Sequence, residues 1–211
     1  MAWSTTDRLF AALDNALKTL TVKPLGTGRP TPGHNLPEPE LDDQARRQVV
    51  GLMRVNHAGE IAAQALYQGQ ALAARRPELY SLLLAAGREE ADHLRWTQER
   101  LAELNAKPSL LAPLWYAGAF SLGLAAARLG DGLSLGFLSE TEKQVEAHLR
   151  SHQDRLPEAD QKSRAIIDQM MKDEVAHGQT ARDHGGRPLP GWAQSAMRGS
   201  AKVMTQTAYW I

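Results

Sequence analysis

Apolar residues along most of this 211-residue chain recur at intervals of three and four, the spacing of helices that turn one face inward. Four stripes carry the pattern furthest. The first is Met53, His57, Glu60, Gln64 and Tyr67, and the second is Leu79, Leu83, Ala86, Glu90, His93, Thr97 and Leu101. The third is Leu135, Leu138, Glu142, Val145, Leu149 and His152, and the fourth is Ile167, Met170, Glu174, His177 and Ala181. No strand-like alternation of comparable length competes, so the pattern predicts an all-α fold, four antiparallel helices around one core. A shorter amphipathic helix is expected at the N-terminus, where Leu9, Leu13, Leu17 and Leu20 follow Thr5 and Thr6 as candidate caps. Asp7, Arg8, Asp14 and Lys18 interrupt any apolar run there that would make a signal peptide. Residues 22–40 are rich in Pro and Gly and read as an extended linker. The chain therefore divides into an N-terminal helix and linker, 1–40, and a main helical domain, 41–211.

The informative residues are the polar ones that interrupt these stripes. Glu60, Glu90, His93, Glu142, Glu174 and His177 fall on inward faces, where a bare carboxylate is costly and needs compensating positive charge. No Lys or Arg occupies an equivalent stripe position. A pair of metal ions would supply the charge. The spacing also repeats: Glu60 to Glu90 is 90 − 60 = 30 residues and Glu142 to Glu174 is 174 − 142 = 32, each a helix with one Glu followed by a helix with Glu-x-x-His. Glu and His at i and i+3 share a helical face and can reach one ion. With no cysteine in the chain, thiolate zinc sites, iron–sulfur clusters and disulfides are excluded. Four carboxylates and two imidazoles suit two hard dications, iron or manganese, and four carboxylates cancel their charge. The alternatives are a solvated charged face or a buried ion-pair network.

Asp173 and Glu89, each immediately before a Glu of the set, are expected to orient the imidazoles, Asp173 that of His93 and Glu89 that of His177. His57 reads as a core histidine, Tyr67 as core packing with a relay role as the alternative, and His148 as either a surface group or part of a substrate channel. His34 carries no signal. A net charge of zero gives no attraction to nucleic acid.

The separation of the halves, Glu90 to Glu142, is 142 − 90 = 52 residues, and the excess coincides with residues 108–127, which contain no charged side chain. A membrane crossing there would put His93 and Glu142 on opposite sides of a bilayer, and the helix beginning at Pro113 spans only about 22 Å. Trp115, Tyr116 and Phe120 among many small apolar residues instead suggest an additional helix lying in a membrane interface and opening an apolar entrance to the site. The aromatic C-terminus, Tyr209, Trp210 and Ile211, is expected to reinforce that surface.

The stretches "RVNHAGEIAA" around Glu60, "EEADHL" around Glu90, "ETEKQVEAHL" around Glu142 and "KDEVAHG" around Glu174 resemble the demethoxyubiquinone hydroxylases, ferritin-like di-iron monooxygenases of ubiquinone biosynthesis. The resemblance covers residues 41–211. It implies two irons per chain held by Glu60, Glu90, His93, Glu142, Glu174 and His177, with Glu60 and Glu142 as the shared carboxylates. It also implies a polyprenylated quinol and O2 as substrates, hydroxylation of the quinol ring, and peripheral attachment to the cytoplasmic side of the cell inner membrane, within reach of a ubiquinone-biosynthesis complex. Where eukaryotic relatives have a His-Tyr pair, His148 is followed here by Leu149, so a relay through that tyrosine does not carry over. A rubrerythrin-like peroxidase and a ferritin-like iron store are the alternatives. The missing cysteines weigh against the first, and a charge-free insert would be a liability on the shell of the second.

Overall fold

A computed structural model describes residues 5–22 and 24–211. The first four residues of the N-terminal segment, the side chain of the candidate cap Thr5 and Lys23 of the linker lie outside that description. The described elements are all helical: α1 Thr5–Thr21, α2 Asp43–Ala73, α3 Pro77–Glu103, α4 Ala112–Arg128, α5 Asp131–Arg155, α6 Gln161–Asp183 and α7 Gly191–Ala208. The starts of the helices are readable in local chemistry. Asp42 accepts from the Ala45 N–H at 2.8 Å and Asp160 from that of Ser163 at 3.1 Å, each satisfying a donor the helix leaves free. Pro77 and Pro113 sit in first turns, where no N–H is needed.

The four predicted stripes become α2, α3, α5 and α6, and they bury two apolar layers. One layer joins Leu52, Met53, Trp96, Leu101, Leu149, Ile166 and Met170; the other joins Leu66, Tyr67, Leu79, Leu83, Leu135, Leu138 and Ala181. On every one of the four helices the predicted polar residues lie between those two sets. The acids therefore form a middle layer closed above and below by aliphatic packing, which is what makes their burial so complete.

The order of the layers along each helix gives the topology. α2 and α6 run from the first layer to the second, and α3 and α5 run back. Two antiparallel hairpins, α2–α3 and α5–α6, are thus joined by a long crossover, and α4 is that crossover. It runs parallel to α2, with Trp115 against Val55 and Ala58, and Phe120 beside Gly69. This accounts for the longer separation between the two halves.

The expectation that residues 108–127 form a membrane-interface helix is overturned. Among the described residues no helix is long and apolar enough to cross a membrane, and α4 is a packed part of the domain. A Cβ on Gly69 would lie 2.3 Å from the carbonyl oxygen of Phe120, and one on Gly123 would lie 2.4 Å from that of Leu66. The two backbones touch. The small residues of this segment let α4 settle directly onto α2, burying Tyr116, Gly123, Ala126 and Ala127. Small side chains serve close helix packing as readily as a lipid boundary, and the apolar pattern alone could not separate the two.

α7 packs on α2 and α5, and the ring of Tyr209 lies directly over Gly51, where a Cβ would meet it at 2.4 Å. α1 packs on α2 and α4. The Pro/Gly-rich stretch has turns at residues 26–27 and 32–35 and is tied down. Glu38 accepts two bonds from Arg100, at 2.9 and 3.0 Å. Arg100 is buried and also reaches Asp160 at 3.1 Å and Ser163 at 2.9 Å. This guanidinium serves its own acidic partners at the end of the bundle, not the middle-layer carboxylates.

Candidate metal centre

All six predicted residues meet in the middle layer. Glu60, Glu90, His93 and Glu174 offer donor atoms that lie within 4.8 Å of one another, and so do Glu90, Glu142, Glu174 and His177. Each quartet has the composition of a site for one ion, three carboxylates and one imidazole. Glu90 and Glu174 belong to both. The resemblance implied Glu60 and Glu142 as the shared carboxylates; in the fold it is the Glu of each Glu-x-x-His that stands in both quartets. Helical spacing shows which face a residue occupies but not which side chain lies between the two clusters.

His93 Nδ1 is 3.2 Å from Glu90 Oε2, 3.4 Å from Glu174 Oε1 and 3.8 Å from Glu60 Oε2. His177 Nδ1 is 2.7 Å from Glu90 Oε1 and 3.8 Å from Glu174 Oε2. The far nitrogens are fixed as the sequence suggested: His93 Nε2 donates to Asp173 Oδ2 at 2.8 Å, and His177 Nε2 to Glu89 Oε2 at 3.0 Å. A carboxylate only accepts, so each Nε2 carries a proton, and Nδ1 is the ring atom turned toward the acids.

The donor set fits a pair of cations. Glu60 Oε2, both oxygens of Glu90, Glu174 Oε2 and the Nδ1 atoms of His93 and His177 are buried and lack a hydrogen-bond partner. Orphaned polar atoms at this depth are rare unless an ion completes them. The electrostatics agree. Burial, reinforced by the carboxylates of Glu90 and Glu174, pushes Glu60 well above the usual carboxylate range, and Glu142 is raised by the same causes. Burial alone would raise Glu90 and lower His93, but their mutual attraction reverses both, holding Glu90 low and His93 high. Burial also opposes charge on His177, yet the surrounding carboxylates push it up to about 12. Protons are drawn in wherever metal charge is missing.

Tyr67 contributes more than packing. Its hydroxyl donates to Glu142 Oε1 at 2.7 Å, and its ring meets that of His177 edge-on at 6.4 Å. Tyr67 also lines a cavity of about 500 Å³ between α1, α2 and α3, together with Ala12, Leu25, Gln68, Leu83 and Leu84. His57 is buried, and burial lowers it to about 4, as for a core histidine. The rings of His148 and His152 lie 4.0 Å apart, tilted at 59°, and line a different cleft with Tyr209 and Trp210. His34 bonds only locally, to the carbonyl of Thr31. Missing from the sequence reading are Arg29 and the residues around it, which reach the centre from the N-terminal stretch; no periodicity marks them.

Two quartets that could each hold a metal ion, in the waist of a four-helix bundle, have the arrangement of the di-iron class, in which helix pairs contribute Glu and Glu-x-x-His. The family model described as "Ubiquinone biosynthesis protein COQ7" matches residues 47–208, and the chain belongs to that family. It is 53% identical over 205 residues to a 3-demethoxyubiquinol 3-hydroxylase of Nitrosomonas europaea, covering 97% of this chain and 98% of the relative. To the enzyme of that name from Nitrosospira multiformis it is 54% identical over 205 residues, with the same coverage. To that from Variovorax paradoxus it is 54% identical over 208 residues, 99% of both chains. The chain is accordingly an oxidoreductase, a di-iron monooxygenase of ubiquinone biosynthesis whose reactants are a quinol and O2.

Proposed function

We propose that this enzyme hydroxylates the ring of a polyprenylated demethoxyubiquinol, with Glu60, Glu90, His93, Glu142, Glu174 and His177 as the ligands of its two irons. The observation that carries the ligand assignment is the pair of quartets sharing Glu90 and Glu174, in which every residue but Glu142 has a buried donor atom without a hydrogen-bond partner. Bound iron supplies the activation of O2; one oxygen atom becomes the ring hydroxyl and the other leaves as water, with two electrons and two protons drawn from a reductant.

The protein holds the acids in place and keeps water out. The two aliphatic layers exclude solvent from above and below the centre, which strengthens every interaction inside it. Asp173 and Glu89 keep Nδ1 of each imidazole free to ligate. Tyr67 holds Glu142 by its phenol and stands at the wall between the centre and the 500 Å³ cavity. That cavity is the place for the quinol ring. Its lining is mostly apolar, which suits a prenylated substrate.

Residues 41–211 carry the chemistry, and the N-terminal segment from Arg8 to Gly26 contributes to the cavity wall. The enzyme works peripherally at the cytoplasmic side of the cell inner membrane, beside the other enzymes of the pathway. The exposed apolar face of α1, with Leu9, Phe10, Leu13 and Leu17, supports that placement, because its opposite face lines the cavity.

The test is direct. The iron-loaded protein is given O2, a reductant and demethoxyubiquinol, and the product is weighed. A gain of one oxygen, labelled when the gas is 18O2, is expected. Unaltered quinol with iron bound and reductant consumed would overturn the substrate assignment.

A further inference from the structure

Asp92 stands between the two metal-binding residues of α3, Glu90 and His93, yet faces away from the metal centre and is completely buried. The N-terminal stretch closes over it. Thr27 donates to it from its backbone N–H, at 3.2 Å, and from its hydroxyl. The Gly28 N–H donates at 3.3 Å and Arg95 Nη2 at 3.0 Å. Gly26 takes a φ of +59°, and a Cβ there would lie 2.2 Å from Asp92 Oδ1, so only glycine lets the backbone come this close.

Arg29 completes the clasp and extends beyond it. Its Nε donates to Asp92 Oδ2 at 3.1 Å, while Nη1 of the same guanidinium donates to Asp173 Oδ2 at 2.8 Å. That Asp173 oxygen is the one that accepts from His93 Nε2. The guanidinium also lies over the ring of Trp96, at 4.9 Å, and Trp96 in turn stands 5.2 Å from the His93 ring. One planar fork thus ties α3 to α6 immediately behind one imidazole. Among the described residues nothing equivalent backs the other: the Glu89 side chain that holds His177 is 45% exposed.

We propose that Arg29 is a positioning residue for one half of the metal centre: anchored on Asp92, it holds Asp173 and so fixes the His93 imidazole toward the ion of the Glu60 quartet. The inference rests on the reading of His93 as an iron ligand. Arg29 lies outside the residues that the family model matches. The consequence is asymmetry. The iron beside His93 is braced by the strap, and the iron beside His177 is not.

The experiment follows loss of iron from the full-length, iron-loaded protein to a ferrous chelator, with Mössbauer spectra of the 57Fe form recorded in parallel. In Arg29→Gln the release of one iron should accelerate by roughly tenfold or more, the usual scale for losing an orienting partner of a ligand, while the other is unchanged. One of the two ferrous quadrupole doublets should change with it. Arg29→Lys keeps the charge but not the fork, and should fall between wild type and Arg29→Gln. Unchanged release in Arg29→Gln, or equal acceleration of both irons, would overturn the proposal. Should Arg29→Gln prove insoluble, Arg29→Lys decides alone: selective acceleration supports the brace, and wild-type release refutes it. Loss of iron in His93→Ala is the separate control for the ligand reading; both irons retained there would remove the premise, whatever Arg29 does.

Discussion

The hydroxyl of Tyr67 reaches from α2 across the bundle and donates to Oε1 of Glu142 on α5 at 2.7 Å. Both residues are almost wholly buried, and the phenol is held far from ionisation by burial and by the charge of Glu142. Tyr67→Phe removes only the donor. In the metal-free protein it should cost about 1–3 kcal/mol, because the Glu142 oxygen is left without its partner. With iron bound the loss should be smaller, the carboxylate then being charge-compensated. Urea unfolding of both forms measures the difference. An equal loss in the two would mean that the bond is purely structural.

Glu90 and Glu174 stand in both quartets, whereas Glu60 and Glu142 each stand in one. Glu90→Ala and Glu174→Ala should therefore abolish binding of both irons and all activity. Glu60→Ala and Glu142→Ala should leave a protein that retains one iron under mild conditions. Metal-to-protein ratios after gel filtration distinguish the cases. Two irons retained in Glu90→Ala would remove that residue from the centre.

Gly123 tests the crossover. Gly123→Val places a side chain against the Leu66 carbonyl and must push α4 from α2. A loss of about 1–3 kcal/mol or more is expected from overpacking at a backbone contact, with the melting temperature as the readout. Stability unchanged would mean that α4 is not seated as described.

Burial depresses His57 to about 4, so the folded protein takes up fewer protons there than the unfolded chain. Its stabilising effect is complete above pH 6.5, the unfolded value, and is lost as the pH falls through 4. Between those limits the wild type should lose about 3 kcal/mol more than His57→Gln, whose side chain does not titrate. Urea unfolding at pH 7 and at pH 4.5 checks this. Parallel losses in the two proteins would place the acid sensitivity elsewhere.

Ala12 on α1 lines the cavity against Tyr67. Ala12→Trp should fill part of that space, raising KM for a long-chain quinol severalfold while leaving iron content unchanged. If KM is unaffected, the ring enters by another route.

The metal centre was legible because helices translate sequence spacing into faces: Glu90 with His93, and Glu174 with His177, could be paired without coordinates. Asp173 and Glu89 were legible for the same reason, each adjoining a residue of that face. The strap was not. Arg29 and Asp173 are 144 residues apart, and a segment of Pro, Gly and Thr has no period from which its contacts could be read. Residues 108–127 were misread because charge-free, small-residue sequence satisfies two environments equally, and only the meeting of Gly69 with Phe120 and of Gly123 with Leu66 distinguishes them. Tyr67 was placed correctly in the interior, but periodicity gives no hint that its hydroxyl finds Glu142.

Each quartet draws on both hairpins: the one containing His93 needs Glu174 from α6, and the one containing His177 needs Glu90 from α3. A nascent chain that has emerged only as far as the crossover can therefore cage neither ion. Neither set of donors is whole until the second hairpin has closed on the first, so the centre is assembled only after most of the polypeptide has been made.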